Sequence, residues 1–408
     1  MMDVSASEET ARLGETVARF VAREVEPVMA GFEACREFPR DVIQKMGSAG
    51  LFGAAFPEAL GGSAMGFRAV AVIAEEISRL APAFGYAMNL QAMTCPFTIF
   101  NWGSDEQVER FVPDLIAGRR IGMFALTEPG GVSDAAGSMR TTAVLDGDAY
   151  RLDGSKQFIT FADECDAGLL FAKTDPSAGH RGISAFIVEP GSGPGYHAEP
   201  IAMAGLSRSL RSCAVHLDGF AVPVANRLGE EGEGFRIAMN ALEYGRLTVS
   251  ARLTGLAQAC LDLATGYARD RVVGGRPIAE YQMVQQLVAD MAVNVEAARL
   301  MTQRAATAMD AGEPSARASA QAKYLACQAA RTAAQAVAEI YAGYALAEDS
   351  PVAEITAYVN MLTIGEGTPN VQRILIAEDA LGIKDANRHP VRNRFARSGG
   401  GGRGVKSK

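Results

Sequence analysis

The spacing of apolar residues changes twice along this chain, and the order of those changes constrains its fold more than any other feature. Up to about residue 116 the pattern is helical: Phe20, Val21, Val25 and Val28 recur at three and four residues. Phe38-Pro39-Arg40 opens a further helical stretch, and a Gly/Pro-rich break at 56–63 precedes an apolar helix over 70–80. Between about 122 and 228 the runs become short and strand-like. Examples are 183–189 and 213–217, with turn signals at Leu145-Asp146-Gly147-Asp148 and Leu152-Asp153-Gly154. From Gly234 long helices return. Val284, Leu287, Val288, Met291, Val295 and Ala298 form one stripe that Gly312-Glu313-Pro314 ends, and an Ala-rich stripe runs over 318–340. Small residues on such stripes let helices pack closely, as in an antiparallel bundle. A β segment of roughly 100 residues between two helical ones is an uncommon order.

Composition narrows the function. At 408 residues the chain is long enough for two or three domains, and 48% hydrophobic with 21% charged residues is ordinary for a globular, helix-rich protein. The net charge is −8, with basic residues clustered only near the C-terminus, which argues against nucleic acid as a partner. The six cysteines are scattered without CxxC spacing and read as reduced, buried thiols. The opening MMDVSASEET resembles neither a signal nor a transit peptide, so a cytoplasmic location is expected. No apolar run approaches the roughly 20 residues of a membrane span. The four histidines lack metal-ligand spacing, so no metal is expected.

The chemistry concentrates at Ile364-Gly365-Glu366-Gly367-Thr368-Pro369, where two glycines bracket a carboxylate between two helices. Glycines let backbone approach a ligand closely, and a carboxylate desolvated inside a bundle is raised toward the range of a general base. On spacing alone the same residues also read as a helix-start turn with Glu366 as an electrostatic cap.

With Gln372-Arg373-Ile374 following it, Gly365-Glu366-Gly367-Thr368 resembles the signature of acyl-CoA dehydrogenases, in which that glutamate is the catalytic base. Other stretches agree in order. Ala125-Leu126-Thr127-Glu128-Pro129-Gly130 with Ser133-Asp134, and Gly154-Ser155-Lys156-Gln157-Phe158-Ile159-Thr160, are similar to flavin-contacting segments. Val222-Pro223 and the run 228–235 resemble the exit from the β domain, and Arg271, Gly275 and Gln282 resemble a cofactor-binding stretch.

The resemblance implies an α+β multidomain fold: an N-terminal α-helical domain (1–118), a middle β-barrel (119–231) and a C-terminal four-helix bundle (232–390). A Gly-rich, disordered tail would follow (391–408). It implies FAD held by Leu126, Thr127, Ser133, Phe158, Thr160, Arg271, Gln282, Gly343, Thr368 and Asn370. Arg271 and Gln282 would serve a neighbouring subunit's FAD, in a homodimer or homotetramer. It places the substrate at Ser133, Glu243, Arg246 and Gly365. The implied reaction is α,β-dehydrogenation of an acyl thioester, on CoA or a carrier protein: Glu366 takes the α-proton, flavin N5 the β-hydride, and an electron-transfer flavoprotein or oxygen the electrons. Some relatives carry the base directly before an Arg on a bundle helix. Here that position is Gly245, before Arg246.

Several positions depart from the pattern: Gly274 for an aromatic, Gly365 for Tyr, Ala342-Gly343-Tyr344-Ala345 for a Gly-Gly-x-Gly turn, and Glu339 for Gln. Val132, Arg208-Ser209-Leu210 and Ala357-Tyr358 differ as well. A glutamate facing a diphosphate would weaken FAD binding, so two alternatives accompany desaturation. One is a flavin oxidase or monooxygenase, the other a non-catalytic relative that has lost FAD. Glu128 reads as a turn former, Lys156 as a solvated strand end, and Trp102 as packing in the first domain.

Overall fold

The computed structural model describes residues 8–131, 133–347 and 349–397. In the first region α1 (Glu8–Phe20) continues through a π-helical turn at Val21–Val25 into α2 (Glu26–Cys35). Then come α3 (Arg40–Ser48), α4 (Phe67–Leu80) and α5 (Gly85–Met88). A second π-helical stretch, Asn89–Thr94, leads into α6 (Pro96–Trp102), and α7 (Asp105–Ile116) follows behind a Ser104/Gln107 capping box. Single π turns inside helices recur at functional sites, and this one carries Asn89, which donates to Glu366.

The middle region holds β1 (Phe124–Ala125), β2 (Thr142–Asp146), β3 (Ala149–Thr160), β4 (Gly168–Lys173), β5 (Ile183–Val188), β6 (Tyr196–Pro200), β7 (Ser212–Pro223) and β8 (Arg227–Leu228). They form one mixed sheet in the order β6-β7-β3-β2-β4-β5-β8, with β1 parallel to β4. The sheet is open, which corrects the expected barrel. β6 stops at Pro200 and pairs only with β7. At the other end β8 pairs only with β5, over two residues, before the chain departs. The expected turn at Leu152-Asp153-Gly154 is also corrected. Gly154 lies inside β3 at a register shift against β7, where an added Cβ would sit 2.6 Å from Thr141 Oγ1.

The third region is built on α8 (Gly234–Asp270), which packs against α4, α9 (Gln282–Asp310), α10 (Ala316–Tyr341) and α11 (Pro351–Ile364). A short hairpin, β9 (Val272–Val273) and β10 (Arg276–Pro277), joins α8 to α9, and α12 (Pro369–Ala380) lies on α10. Buried alanines of α10, among them Ala322, Ala326, Ala330 and Ala333, bring these helices close. The stretch 391–397, expected to open a disordered tail, is instead packed. It includes α13 (Arg394–Arg397), whose Phe395 is buried edge-on against Phe67, and Asn393 donates to the Met309 carbonyl. The Gly-rich stretch from Ser398 onward and Val132 lie outside the described residues.

Among the described residues no helix is long and apolar enough to cross a membrane, and no group of three or more His, Cys, Asp or Glu is placed to hold a metal. Five of the six cysteines are buried; Cys35 is exposed, against expectation.

Candidate active site

Glu366 sits in the connection between α11 and α12. Thr368 caps α12 by accepting from the Val371 N–H, and Pro369 occupies the first turn. The cap role considered for Glu366 therefore belongs to Thr368. The loop holds Glu366 at φ +55° and Gly367 at +88°. A left-handed glutamate is strained, and such strain persists where its surroundings over-determine it. Here the determinant is Lys323 of α10, fully buried, whose Nζ donates to the carbonyls of both Gly365 and Gly367. Burial draws the Lys323 ammonium down to about 8.

The Glu366 carboxylate points to α8 and the π-helical stretch. Its Oε1 accepts from Asn89 Nδ2 at 2.9 Å, and Thr248 fixes Asn89 by donating to its Oδ1 at 2.6 Å. Its Oε2 is buried without a hydrogen-bond partner. Gly245 makes this placement possible, because a Cβ there would lie 2.7 Å from Glu366 Oε2. Burial raises the carboxyl above its ordinary range, opposed by Asn89, Lys323, Arg246 and Arg252. The arrangement leaves a proton acceptor with a free lone pair on a buried oxygen.

Arg246 follows Gly245 and is buried, with Nε lacking a partner. It borders a cavity of about 200 Å³ lined also by Glu243, Ser315, Trp102, Phe235 and Arg392. Glu243 accepts from Ser315 Oγ at 2.5 Å, and burial raises its carboxyl. Trp102, expected to pack within the first domain, instead lines this cavity, donates to Asn240 Oδ1 of α8 and carries the Arg392 guanidinium over its ring. A second hollow, about 390 Å³, lies between α1, α4 and α9; it is lined by ion pairs such as Glu75–Arg299 and lies apart from Glu366.

Of the residues expected at the flavin ring, Phe158 and Thr160 lie on β3, while Leu126 and Thr127 follow β1. Leu126 directly follows β1, and the Thr127 carbonyl accepts from the Gln157 N–H at 2.9 Å. Thr160 Oγ1 meets Ser212 Oγ at 3.1 Å. Phe158 is 47% exposed at φ +58°, on the irregular stretch of β3 between Lys156 and Ile159. A large aromatic in that backbone state is strained, and its ring is turned out of the core. Ser133 is exposed. Lys156 corrects its expected role: it is fully buried and paired with Glu128 Oε1 at 2.7 Å. Glu128 also accepts from the Arg140 and Thr141 N–H groups, as suits a turn former.

Arg271, Gln282 and Gly343 lie at the far end of the bundle. Arg271 is 26 residues beyond Gly245 on α8, roughly 39 Å along the axis. Its guanidinium lies over the Tyr344 ring, beside Gly343, where an added Cβ would meet nothing. Gly274 holds φ +61°, and the Tyr281 hydroxyl fills the space where its side chain would begin, so Tyr281 brings an aromatic ring to that hairpin. Glu339 is held along its own helix by Gln335. Asn370 accepts from Arg373 on exposed α12. Tyr358 and Glu33 receive the Ser207-Arg208-Ser209 loop.

Asn89, Thr248, Arg252 and Lys323 escaped the sequence reasoning. Each sits in a helix among other polar residues that do not reach Glu366, so the sequence offers nothing to single it out.

Three sequence models of one family match in order. They are the acyl-CoA dehydrogenase N-terminal domain over 7–119, middle domain over 123–220 and C-terminal domain over 232–381. A glutaryl-CoA dehydrogenase of Desulfococcus multivorans is 36% identical over 95% of this chain and 100% of its own. Subunit CarC of the caffeyl-CoA reductase-Etf complex of Acetobacterium woodii is 36% identical over 85% of this chain and 90% of its own. A glutaryl-coenzyme A dehydrogenase in complex with glutaryl-CoA superimposes with a TM-score of 0.91 at 36% identity, covering 95% of this chain and 99% of that one. An FAD complex of PigA gives a TM-score of 0.87 at 25% identity, covering 94% and 100%. The chain belongs to the acyl-CoA dehydrogenase family, oxidoreductases that act on CH–CH groups.

Proposed function

We propose that the protein desaturates an acyl thioester between its α- and β-carbons, with Glu366 removing the α-proton. The observation that carries this reading is the free, buried Oε2 of Glu366, held on a strained loop by Lys323 and given room by Gly245. A carboxylate that merely capped a helix would have its oxygens on backbone N–H groups. An α-C–H beside a thioester is a weak acid, so the developing enolate oxygen needs a preorganised donor, a role we assign to the Glu366 backbone N–H. Glu243 and Arg246, bordering the 200 Å³ cavity, are assigned to the thioester's pantetheine arm. Ser133 and Gly365 complete the substrate contacts.

The residues present fit FAD. Phe158 offers an exposed ring, Thr127 and Thr160 stand beside it on the sheet, and Glu339 is tied back to Gln335. When bound, FAD would supply the acceptor for the β-hydride. Leu126, Ser133, Thr368 and Asn370 are assigned to the same cofactor. Arg271, Gln282 and Gly343 lie too far along α8 to serve the ring beside Glu366. We assign them to the FAD of a second copy, where a guanidinium suits a diphosphate. Exposed apolar side chains around them, Val272, Val273, Met283 and Leu346, support a homo-oligomeric contact there. The named relatives favour a CoA thioester and an electron-transfer flavoprotein as acceptor. Mixing the FAD-loaded protein anaerobically with acyl-CoA thioesters tests the reading: flavin absorbance should bleach, and no bleaching with any thioester would contradict it.

A further inference from the structure

Arg252 stands seven residues after Gly245 on α8, about 10.5 Å along the axis and on nearly the same face. Gly245, Thr248 and Arg252 therefore form one stripe, whose first two members meet Glu366 and Asn89. A long helical side chain covers the turn N-terminal to its own Cα, which carries the guanidinium back toward Glu366. The residue is only 3% exposed, yet its Nε has no hydrogen-bond partner, and among the described residues no carboxylate lies within ion-pair distance. Its neighbours are the ring of Tyr86, 5.3 Å from Cζ, and Gly85, where an added Cβ would lie 2.6 Å from Nε. Ser78 Oγ, against the same face of Gly85, is also buried and unpartnered.

Among the described residues two other buried cations are compensated, Lys156 by Glu128 and Lys323 by two carbonyls, while Arg246, which also has a free Nε, borders the cavity assigned to the pantetheine arm. Leaving a buried cation without a counter-charge costs several kcal/mol, so such a group persists where a ligand brings the charge. Glu366 acts on Arg252 only through space: its Oε1 is taken by Asn89 and its free oxygen faces Gly245, two turns away, so the guanidinium has no carboxylate on its own N–H groups.

We propose that Arg252 is a specificity residue that binds a carboxylate at the far end of the acyl group, so that the preferred substrate is the thioester of a short dicarboxylic acid. The guanidinium fork takes both carboxylate oxygens, with Tyr86 as the flanking wall. A plain alkyl chain leaves the cation unpaired, and an amine-bearing acyl group is repelled. The proposal rests on Glu366 marking the reacting end of the pocket.

The test compares succinyl-, glutaryl- and adipoyl-CoA with butyryl-, pentanoyl- and hexanoyl-CoA on the FAD-loaded protein. At least one carboxylated thioester should exceed its plain counterpart in kcat/KM by about 100-fold. Arg252→Gln should remove that preference while sparing the plain thioester, and Arg252→Lys, which keeps the charge but loses the fork, should fall between. A preference for plain chains in the wild type, or an equal loss on both classes in Arg252→Gln, overturns the proposal. Dissociation constants measured by calorimetry on Glu366→Gln separate the two readings. A binding preference for the carboxylated thioester upholds Arg252 even if Glu366→Gln still turns over, and equal binding of both classes overturns it.

Discussion

Two glutamates with buried carboxylate oxygens, Glu128 and Glu366, sit near buried lysines, and they are built in opposite ways. In the β region Glu128 accepts from Lys156 and from two backbone N–H groups, and these partners outweigh burial to hold its carboxyl below the ordinary range. In the helical region Lys323 spends its hydrogen bonds on the carbonyls either side of Glu366, not on the carboxylate. That carboxylate keeps one free oxygen and is raised by burial. The first pair organises the entry to the sheet. The second fixes a loop while leaving its carboxylate reactive. What separates structure from chemistry is therefore where the lysine donates.

Breaking the first pair should have the largest effect. Lys156→Met leaves Glu128 buried with its two backbone donors but no counter-charge, and urea denaturation should show a loss of about 3–5 kcal/mol. On the other side, Gly245→Ala puts a methyl group against the Glu366 carboxylate; turnover should fall about 100-fold with FAD content unchanged. Lys323→Met releases the loop and removes a charge that acts on Glu366 but makes no hydrogen bond to it, so kcat should drop roughly tenfold at unchanged KM. An Lys323→Met protein that lost stability as Lys156→Met does, with kcat intact, would erase the contrast.

The pH dependence sharpens the comparison with the smallest effect. Glu128, depressed in the folded state, contributes stability above its unfolded value that is lost as pH falls through its folded one. Glu366, raised in the folded state, does the reverse. Its penalty is absent below the unfolded value, grows as pH rises, and is full above the folded one. Glu366→Gln should therefore raise Tm by a few degrees at pH 7, and thermal scans at lower pH should show that gain shrinking toward the ordinary carboxylate range. A gain that grew on acidification would mean the wrong sign for Glu366.

Much of this was legible in the sequence. The helix–strand–helix order follows from apolar spacing, and Gly365-Glu366-Gly367 announces a carboxylate on an unusual backbone. Gly245 was legible only as an absence; its use, clearance for Glu366, needs coordinates. The open edges of the sheet were hidden because strand pairing is non-local, and two-residue β8 carries no periodic signal. Lys156, Lys323 and Arg252 were misread or missed for one reason: a lone cation in an apolar or alternating run looks solvated until its partners, distant in sequence, are known.

The central claim, that Glu366 removes the α-proton, is tested most directly when proton abstraction is isolated from hydride transfer. A thioester whose β-carbon is replaced by sulfur has no hydride to give, but its α-hydrogens remain acidic. Incubated with the FAD-loaded protein in heavy water, it should take up deuterium at the α-position, followed by mass spectrometry. Glu366→Gln should abolish that uptake while binding the analogue as tightly. Equal deuterium uptake by both proteins would contradict the account.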